Sequence, residues 1–247
     1  MDMYRRKLLL AKLDSYLDSL TDDQLFSEIE LIGSRVQESE SFEEKIRRRL
    51  ELGTSNNIHL VWLDFETTGF NTSLHIDPKT GQELLGCQYN DILEVAVVIT
   101  DLTLEPKGEL CLAIRAEDID FSKMDDWCTN THTKSGLVDR CKQSTISLKE
   151  AEQQVLSLIK SFGIERKQAY LAGNSIYFDM MFISAHMREL LDYLHYRLVD
   201  VTSYKTPMVA IHPEFEDKLN VMKTDRHEAL IDIHESINEF RMYIEKI

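Results

Sequence analysis

From Ile58 onward the chain switches between two hydrophobic periodicities, and that switching limits the folds open to it. IHLVWLD is a short apolar run of strand length, DILEVAVVITD a longer one, and ELCLAI a third. Ser147-Leu148-Lys149-Glu150 then has the capping-box pattern and opens an amphipathic helix expected to end near Phe162. AYLAG predicts a short strand feeding a helix over 176–194. HYRLVDV predicts a further strand, and 225–247 a final helix. Three strands in succession, followed by alternating helix and strand, predict an α/β fold: a mixed β-sheet flanked by helices on both faces.

Residues 1–57 read as a separate N-terminal helical extension to a domain over 58–247. Leu9, Leu13, Leu17 and Leu20 recur at helical spacing, capping-box patterns start at Thr21 and Ser41, and Gly53 suits a helix stop. The apolar face could pack on the main domain, form an interface or bind a partner. Residues 71–90 are a long connection between the first two strands. At that length a connection is more often functional or mobile than incidental.

The 247 residues carry a formal charge of −15 and 43% hydrophobic content. No apolar run reaches the roughly 18 residues of a membrane span. Lys12, Asp14 and Asp18 interrupt the N-terminal stretch, which makes it a poor signal peptide. The expectation is a cytoplasmic protein with no membrane association. Cys87, Cys111, Cys128 and Cys141 show no zinc-type spacing and read as free thiols. A protein that grips long nucleic acid usually shows a basic stripe, and this sequence has none. No long duplex is therefore expected as a partner; a small substrate held by a few contacts suits the charge better.

Five residues carry the chemistry. Asp64 and Glu66 end the first strand, and side chains at i and i+2 share a strand face. Two carboxylates placed so repel each other unless a cation lies between them; the alternative is a solvated acidic strand end. Asp179 follows AYLAG and the turn GNS, with Asn174 or Ser175 expected as the helix N-cap. An acid there either completes a metal site or simply complements the helix dipole. His227 and Asp232 are five apart, which on a regular helix turns them roughly 140° from each other. If both serve one site, His227 belongs on a loop or irregular turn and Asp232 inside the helix.

The set resembles the DnaQ-like, DEDDh 3′–5′ exonucleases, whose sheet is RNase H-like. Within these it resembles the oligoribonuclease family, through VWLDFETTGF, DDWCTNTHTKSGL, STISLKEAE, LAGNSIYFD, LHYRLVDVTSYK and RHEALIDIHESI, in that order. The resemblance covers about 58–247. It implies that Asp64, Glu66, Asp179 and Asp232 hold two divalent metal ions, Mg²⁺ or Mn²⁺, and that His227 is the general base. Trp127 and His132 would line the site near the bases, although a lone tryptophan is more often a core residue than a base platform. Phe70 stands where the family usually has a wedging leucine. Ser175, Arg197 and Thr202 match positions that cap the substrate's 5′ phosphate, with Arg197 and neighbouring Tyr196 supplied by the partner subunit of a homodimer.

The implied activity is degradation of short RNA oligonucleotides, dinucleotides included, to 5′-mononucleotides. Two alternatives remain: a proofreading-type or single-strand DNA or RNA exonuclease, and a non-catalytic dinucleotide-binding module. The chain also departs from the family. Residues 1–57 are extra, the 71–90 connection is longer, and TPMVAIHPEFEDK replaces a basic, Trp-containing helix.

Overall fold

The computed structural model describes Thr21, Glu44 and residues 58–70, 72–78, 80–222 and 228–245. The chain divides into two compact units, Met1–Lys45 and Ile46–Ile247. All the elements below belong to the second. The N-terminal helices expected over 1–57 lie outside the described residues.

Five strands form the main sheet: β1 (His59–Thr67), β4 (Ile92–Asp101), β5 (Gly108–Ala113), β6 (Ala169–Gly173) and β7 (Leu198–Asp200), in the order β5-β4-β1-β6-β7. β1 pairs antiparallel with β4, β4 antiparallel with β5, while β6 runs parallel to β1 and β7 parallel to β6. This is the mixed RNase H-like sheet expected from the sequence. β1 and β4 are buried almost throughout because they lie inside the sheet with helices above and below, which accounts for their unbroken apolar runs.

The period-2 alternation of β1 sorts its side chains by face. Val61, Leu63 and Phe65 join the core cluster with Val155, Leu156 and Ile159 of a helix spanning Leu148–Ser161. That helix has the expected cap: Ser147 and Glu150 hydrogen-bond reciprocally. On the other face Trp62 meets Phe240 edge-to-face at 5.8 Å. Phe240 belongs to the last helix, Ala229–Ile244, which packs on β1 and β4 and buries Ile233 and Ile237. Asp64 and Glu66 share Trp62's parity and therefore face that helix.

With these two included, the helices described from residue 58 onward are, in chain order, α1 (Gly86–Tyr89), α2 (Asp126–Lys134), α3 (Leu137–Gln143), α4 (Leu148–Ser161), α5 (Tyr177–His186), α6 (Arg188–Tyr193), α7 (Val201–Ile211), α8 (Glu214–Met222) and α9 (Ala229–Ile244). Several expectations need correction. The helix expected over 176–194 is two, broken at Met187, whose φ −125° and ψ 67° leave the helical region. A continuous apolar pattern hides such a break because both pieces bury the same stripe. HYRLVDV contributes only Leu198–Asp200 to the sheet. The 71–90 connection is more than a plain hairpin loop: β2 (Leu74–Ile76) pairs antiparallel with β3 (Glu83–Leu85), and α1 follows. The divergent segment after Lys205 continues α7 and then forms α8. Among the described residues, no helix is long and apolar enough to cross a membrane. All four cysteines are free.

Candidate active site

The site forms where β1 outruns its neighbour. The last β1–β6 pair is Trp62 with Ala172, and β1 continues to Thr67. Beyond that point β6 turns away through Gly173, where a Cβ would come 3.2 Å from the Leu63 carbonyl and 2.9 Å from Ile176. The free stretch of β1 needs partners for its backbone groups. Asp179 Oδ1 accepts the Phe65 N–H at 3.0 Å and so serves in place of the missing strand. Register also shifts between Glu66 and Thr67, a bulge of the kind that re-aims side chains beside functional sites.

Asp64, Glu66 and Asp232 converge here. One ligand oxygen from each lies within 4.8 Å of the others, a spacing suited to holding a metal ion. Asp232 sits in the first turn of α9, its N–H bonded to the Glu228 carbonyl at 3.0 Å. Asp179, in the first turn of α5, is buried beside this trio. His227 lies outside the described residues. α9 begins at Ala229, after an extended Glu228 at its N-cap, and not at 225 as expected, while Asp232 is helical as expected.

Burial is the main force on these acids, and their mutual repulsion adds to it. Asp64 is raised well above the usual carboxylate range, first by burial, then by Asp179, Glu66, Asp232 and Glu94. Glu66 is pushed up to about 8 by burial and then by Asp232, Glu94 and Asp179, against a lowering influence from Arg140. Asp179 is raised to about 8, chiefly by burial, although the Phe65 N–H favours its charged form. Without a cation the cluster keeps protons. A divalent cation would favour the ionised carboxylates, and an all-oxygen donor set is the kind Mg²⁺ or Mn²⁺ takes. Glu94 and Arg140 were not singled out in the sequence. Glu94 is buried directly across from Glu66 and binds Arg140 Nη2 at 2.8 Å. The clue was an acid set among apolar residues inside the strand ILEVAVVIT.

A cavity of about 140 Å³ adjoins Glu66 and is lined by Phe70, Trp127, His132 and Phe178 among others. Trp127 is 52% exposed and Phe70 60% exposed, which excludes the core role weighed for Trp127. His132 is buried, with Nε2 3.1 Å from the Thr67 carbonyl and Nδ1 3.9 Å from Glu66 Oε2. Because a carbonyl only accepts, Nε2 carries a proton. The loop bearing Phe70 is clamped by Asn90, which the sequence reading passed over. Buried Asn90 donates from Nδ2 to the Phe70 carbonyl at 2.9 Å and accepts from the Thr68 hydroxyl at 3.3 Å. A Cβ at Gly69 would lie 2.9 Å from the Asn90 side-chain amide, so any other residue there would push the clamp aside.

A second cavity, of about 450 Å³, is lined by Asn174, Ser175, Thr202, Lys205, Thr206 and Val209. The Ser175 N–H donates to Thr202 Oγ1 at 2.9 Å and to Asp200 Oδ1 at 3.1 Å, holding Ser175 at φ +50°. Neither Asn174 nor Ser175 is the expected N-cap of α5; that position is Ile176, with no side-chain cap. Lys205 was missed as a site residue, although it follows Thr202 by three on α7 and so shares its face. Tyr196 and Arg197 are not among the residues lining these two cavities. Tyr196 is exposed, stacked on His195 at 4.5 Å, and Arg197 lies 5.4 Å from its ring centroid.

A family model described as Exonuclease matches residues 61–240. An oligoribonuclease of Photobacterium profundum is 36% identical over 195 residues, covering 78% of this chain and 98% of the relative. The chain belongs to the oligoribonuclease family. A probable oligoribonuclease of Drosophila melanogaster is 38% identical, covering 74% of this chain and 80% of its own length. One of Schizosaccharomyces pombe is 36% identical, covering 74% and 66% respectively. Two solved structures show the same fold. A zinc-bound E. coli ExoI–ssDNA complex has a TM-score of 0.54 at 13% identity, covering 75% of this chain and 40% of that one. Cell-death related nuclease 4 has a TM-score of 0.51 at 12% identity, covering 76% and 64%. Membership of the oligoribonuclease family places this chain among the hydrolytic 3′–5′ exoribonucleases.

Proposed function

We propose that the protein is a divalent-metal-dependent enzyme that removes nucleotides from the 3′ end of very short RNA, dinucleotides included, and releases 5′-mononucleotides. The observation that carries this reading is the convergence of Asp64, Glu66 and Asp232 at the uncovered end of β1, in a chain of the oligoribonuclease family. Asp64, Glu66, Asp179 and Asp232 are the residues to hold two ions, Mg²⁺ or Mn²⁺. Bound there, the ions would supply polarisation of water and charge stabilisation at the scissile phosphate. His227 is assigned to accept the water proton, the role an imidazole fills as a general base near neutral pH.

Phe70 and Trp127 offer exposed aromatic faces for stacking bases, and His132 braces the Glu66 side of that cavity. Ser175 and Thr202 cap the 5′ phosphate. Arg197 and Tyr196 complete the cap from the partner subunit of a homodimer, which is compatible with their exposed position. Short RNA is the partner, long duplex nucleic acid is not, and the cytoplasm is the proposed location. Residues 1–57 are proposed as an appendage to the catalytic domain over 58–247.

The test is cleavage of 5′-phosphorylated ribo-oligomers from two to about seven nucleotides, with and without Mn²⁺. Metal-dependent loss of the dinucleotide ahead of longer chains supports the reading. Binding of the dinucleotide without turnover in Mn²⁺ would favour a binding module and overturn it. Faster digestion of a single-stranded DNA oligomer would make it a DNA exonuclease instead.

A further inference from the structure

Glu239 is a carboxyl group where the packing calls for an apolar side chain. It lies on α9, 1% exposed, between Ile237 and Phe240 of the core face. A buried carboxyl is costly unless hydrogen-bonded, and this one is. Tyr243, fully buried, donates its hydroxyl to Oε1 at 2.8 Å, and Asn174 donates from Nδ2 to Oε2 at 3.0 Å. The same Asn174 amide donates to Ser236 Oγ at 2.9 Å. At its other end Asn174 Oδ1 accepts from the Thr202 hydroxyl at 3.3 Å, and that oxygen takes the Ser175 N–H at 2.9 Å. The network therefore runs from the interior of α9 to Asn174, Ser175 and Thr202, three of the residues that line the 450 Å³ cavity.

The origin of this network on the helix is what gives it meaning. Ser236 and Glu239 follow Asp232 by four and seven residues, so all three lie on one side of α9. One rigid helix thus presents a carboxylate to the acidic cluster and, about 10 Å further along its axis, anchors the floor of the second cavity. An enzyme that measures a very short substrate must keep the group binding one end at a fixed distance from the group acting at the other. A network tied to the helix that bears Asp232 does this directly.

We propose that Glu239, acting through Asn174, is a positioning residue that holds the Ser175–Thr202 cavity in register with the carboxylate cluster and so sets the preference for a 5′-phosphorylated dinucleotide. This rests on the proposed function and adds a residue to its specificity. Glu239 touches no reacting atom. Its removal leaves Asn174 held from α9 by Ser236 alone, which loosens Asn174 and the Thr202 hydroxyl it accepts from and leaves the carboxylate cluster intact.

The experiment compares kcat and KM in Mn²⁺ for one ribodinucleotide with and without a 5′ phosphate, in the full-length protein, Glu239→Met and Glu239→Gln. Methionine fills the space without an acceptor oxygen. Glutamine keeps an oxygen for Asn174, while the Tyr243 hydroxyl can turn to accept its amide. Glu239→Met is expected to raise KM for the phosphorylated dinucleotide about tenfold, the scale of one charge-assisted hydrogen bond. Its kcat and its half-saturating Mn²⁺ concentration stay unchanged, and Glu239→Gln restores the preference. An equal fall in kcat on both substrates, or an unchanged preference, overturns the proposal. If Glu239→Met does not fold, Asn174→Ala removes the amide through which Glu239 acts and is judged by the same preference. A wild-type protein that cleaves both dinucleotides equally well has no phosphate cap, which overturns this proposal alone. One that cleaves no RNA overturns the proposed function itself.

Discussion

Asp64, Glu66 and Asp232 are held close together at a cost the fold bears in the absence of a cation. Glu66 and Asp179 are both pushed up to about 8, far above ordinary carboxylates, and burial is the first cause in each. A raised carboxylate pKa means that the folded, metal-free protein holds protons the unfolded chain has already released. Stability therefore falls as pH rises from about 4.5 towards about 8. Thermal melts in chelator are expected to decline across that window, and Mg²⁺ is expected to raise the melting temperature more at its upper end than at its lower end. A Glu66→Gln variant should flatten the decline and melt higher than wild type in chelator near the upper end, while losing cleavage. A decline that persists unchanged in Glu66→Gln would remove this residue from the cluster's electrostatics. For Asp232→Asn, kcat/KM should fall by ~10²-fold or more, the scale of losing one group that stabilises charge in the transition state. Its metal affinity, measured by calorimetry, should weaken in parallel. Near-normal metal binding and turnover would mean Asp232 is a bystander.

At the scale of the element, the 71–90 insertion gains a role through Asn90. It ends in α1 and Asn90, whose amide fixes the loop carrying Phe70, and its Cys87 carbonyl meets His186 Nε2 of α5 at 2.8 Å. Phe70 in turn rests edge-on against Phe178 of α5, 6.4 Å between centroids. Asn90→Ala should leave kcat near wild type and raise KM for dinucleotides by several-fold to about a hundredfold, up to the ~1–3 kcal/mol of one base–aromatic stack. Steady-state kinetics decide it, and an unaltered KM would free the insertion from any part in base binding. The α4 cap and its amphipathic stripe were legible in the sequence because the interactions that make them are local: Ser147 and Glu150 are one turn apart. The break at Met187 and the clamp at Asn90 were not. Asn90 finds Phe70 twenty residues away, and no spacing rule reaches that far.

At the scale of the whole molecule, the exposed Tyr196 and Arg197 make the dimer proposal testable by complementation. If each active site borrows these residues from a partner, Arg197→Ala and Asp64→Ala chains should each be weak or inactive alone. Mixed and allowed to exchange, they should recover activity, because one site in each mixed dimer has an intact cluster and a partner's intact Arg197. No recovery, with exchange confirmed by differential tagging, would sink the shared cap. The fold class and the order of the acidic residues were readable from the chain alone. Strand and helix periods are local, and family likeness is carried by six ordered stretches of residues 58–247. Only the tertiary structure decided that β1 extends beyond β6, that Asp179 takes the backbone N–H this exposes, and that Asp64, Glu66 and Asp232 meet on the face covered by α9. Those outcomes depend on where distant strands stop pairing, and hydrophobic period says which face a residue takes but not where its neighbour ends.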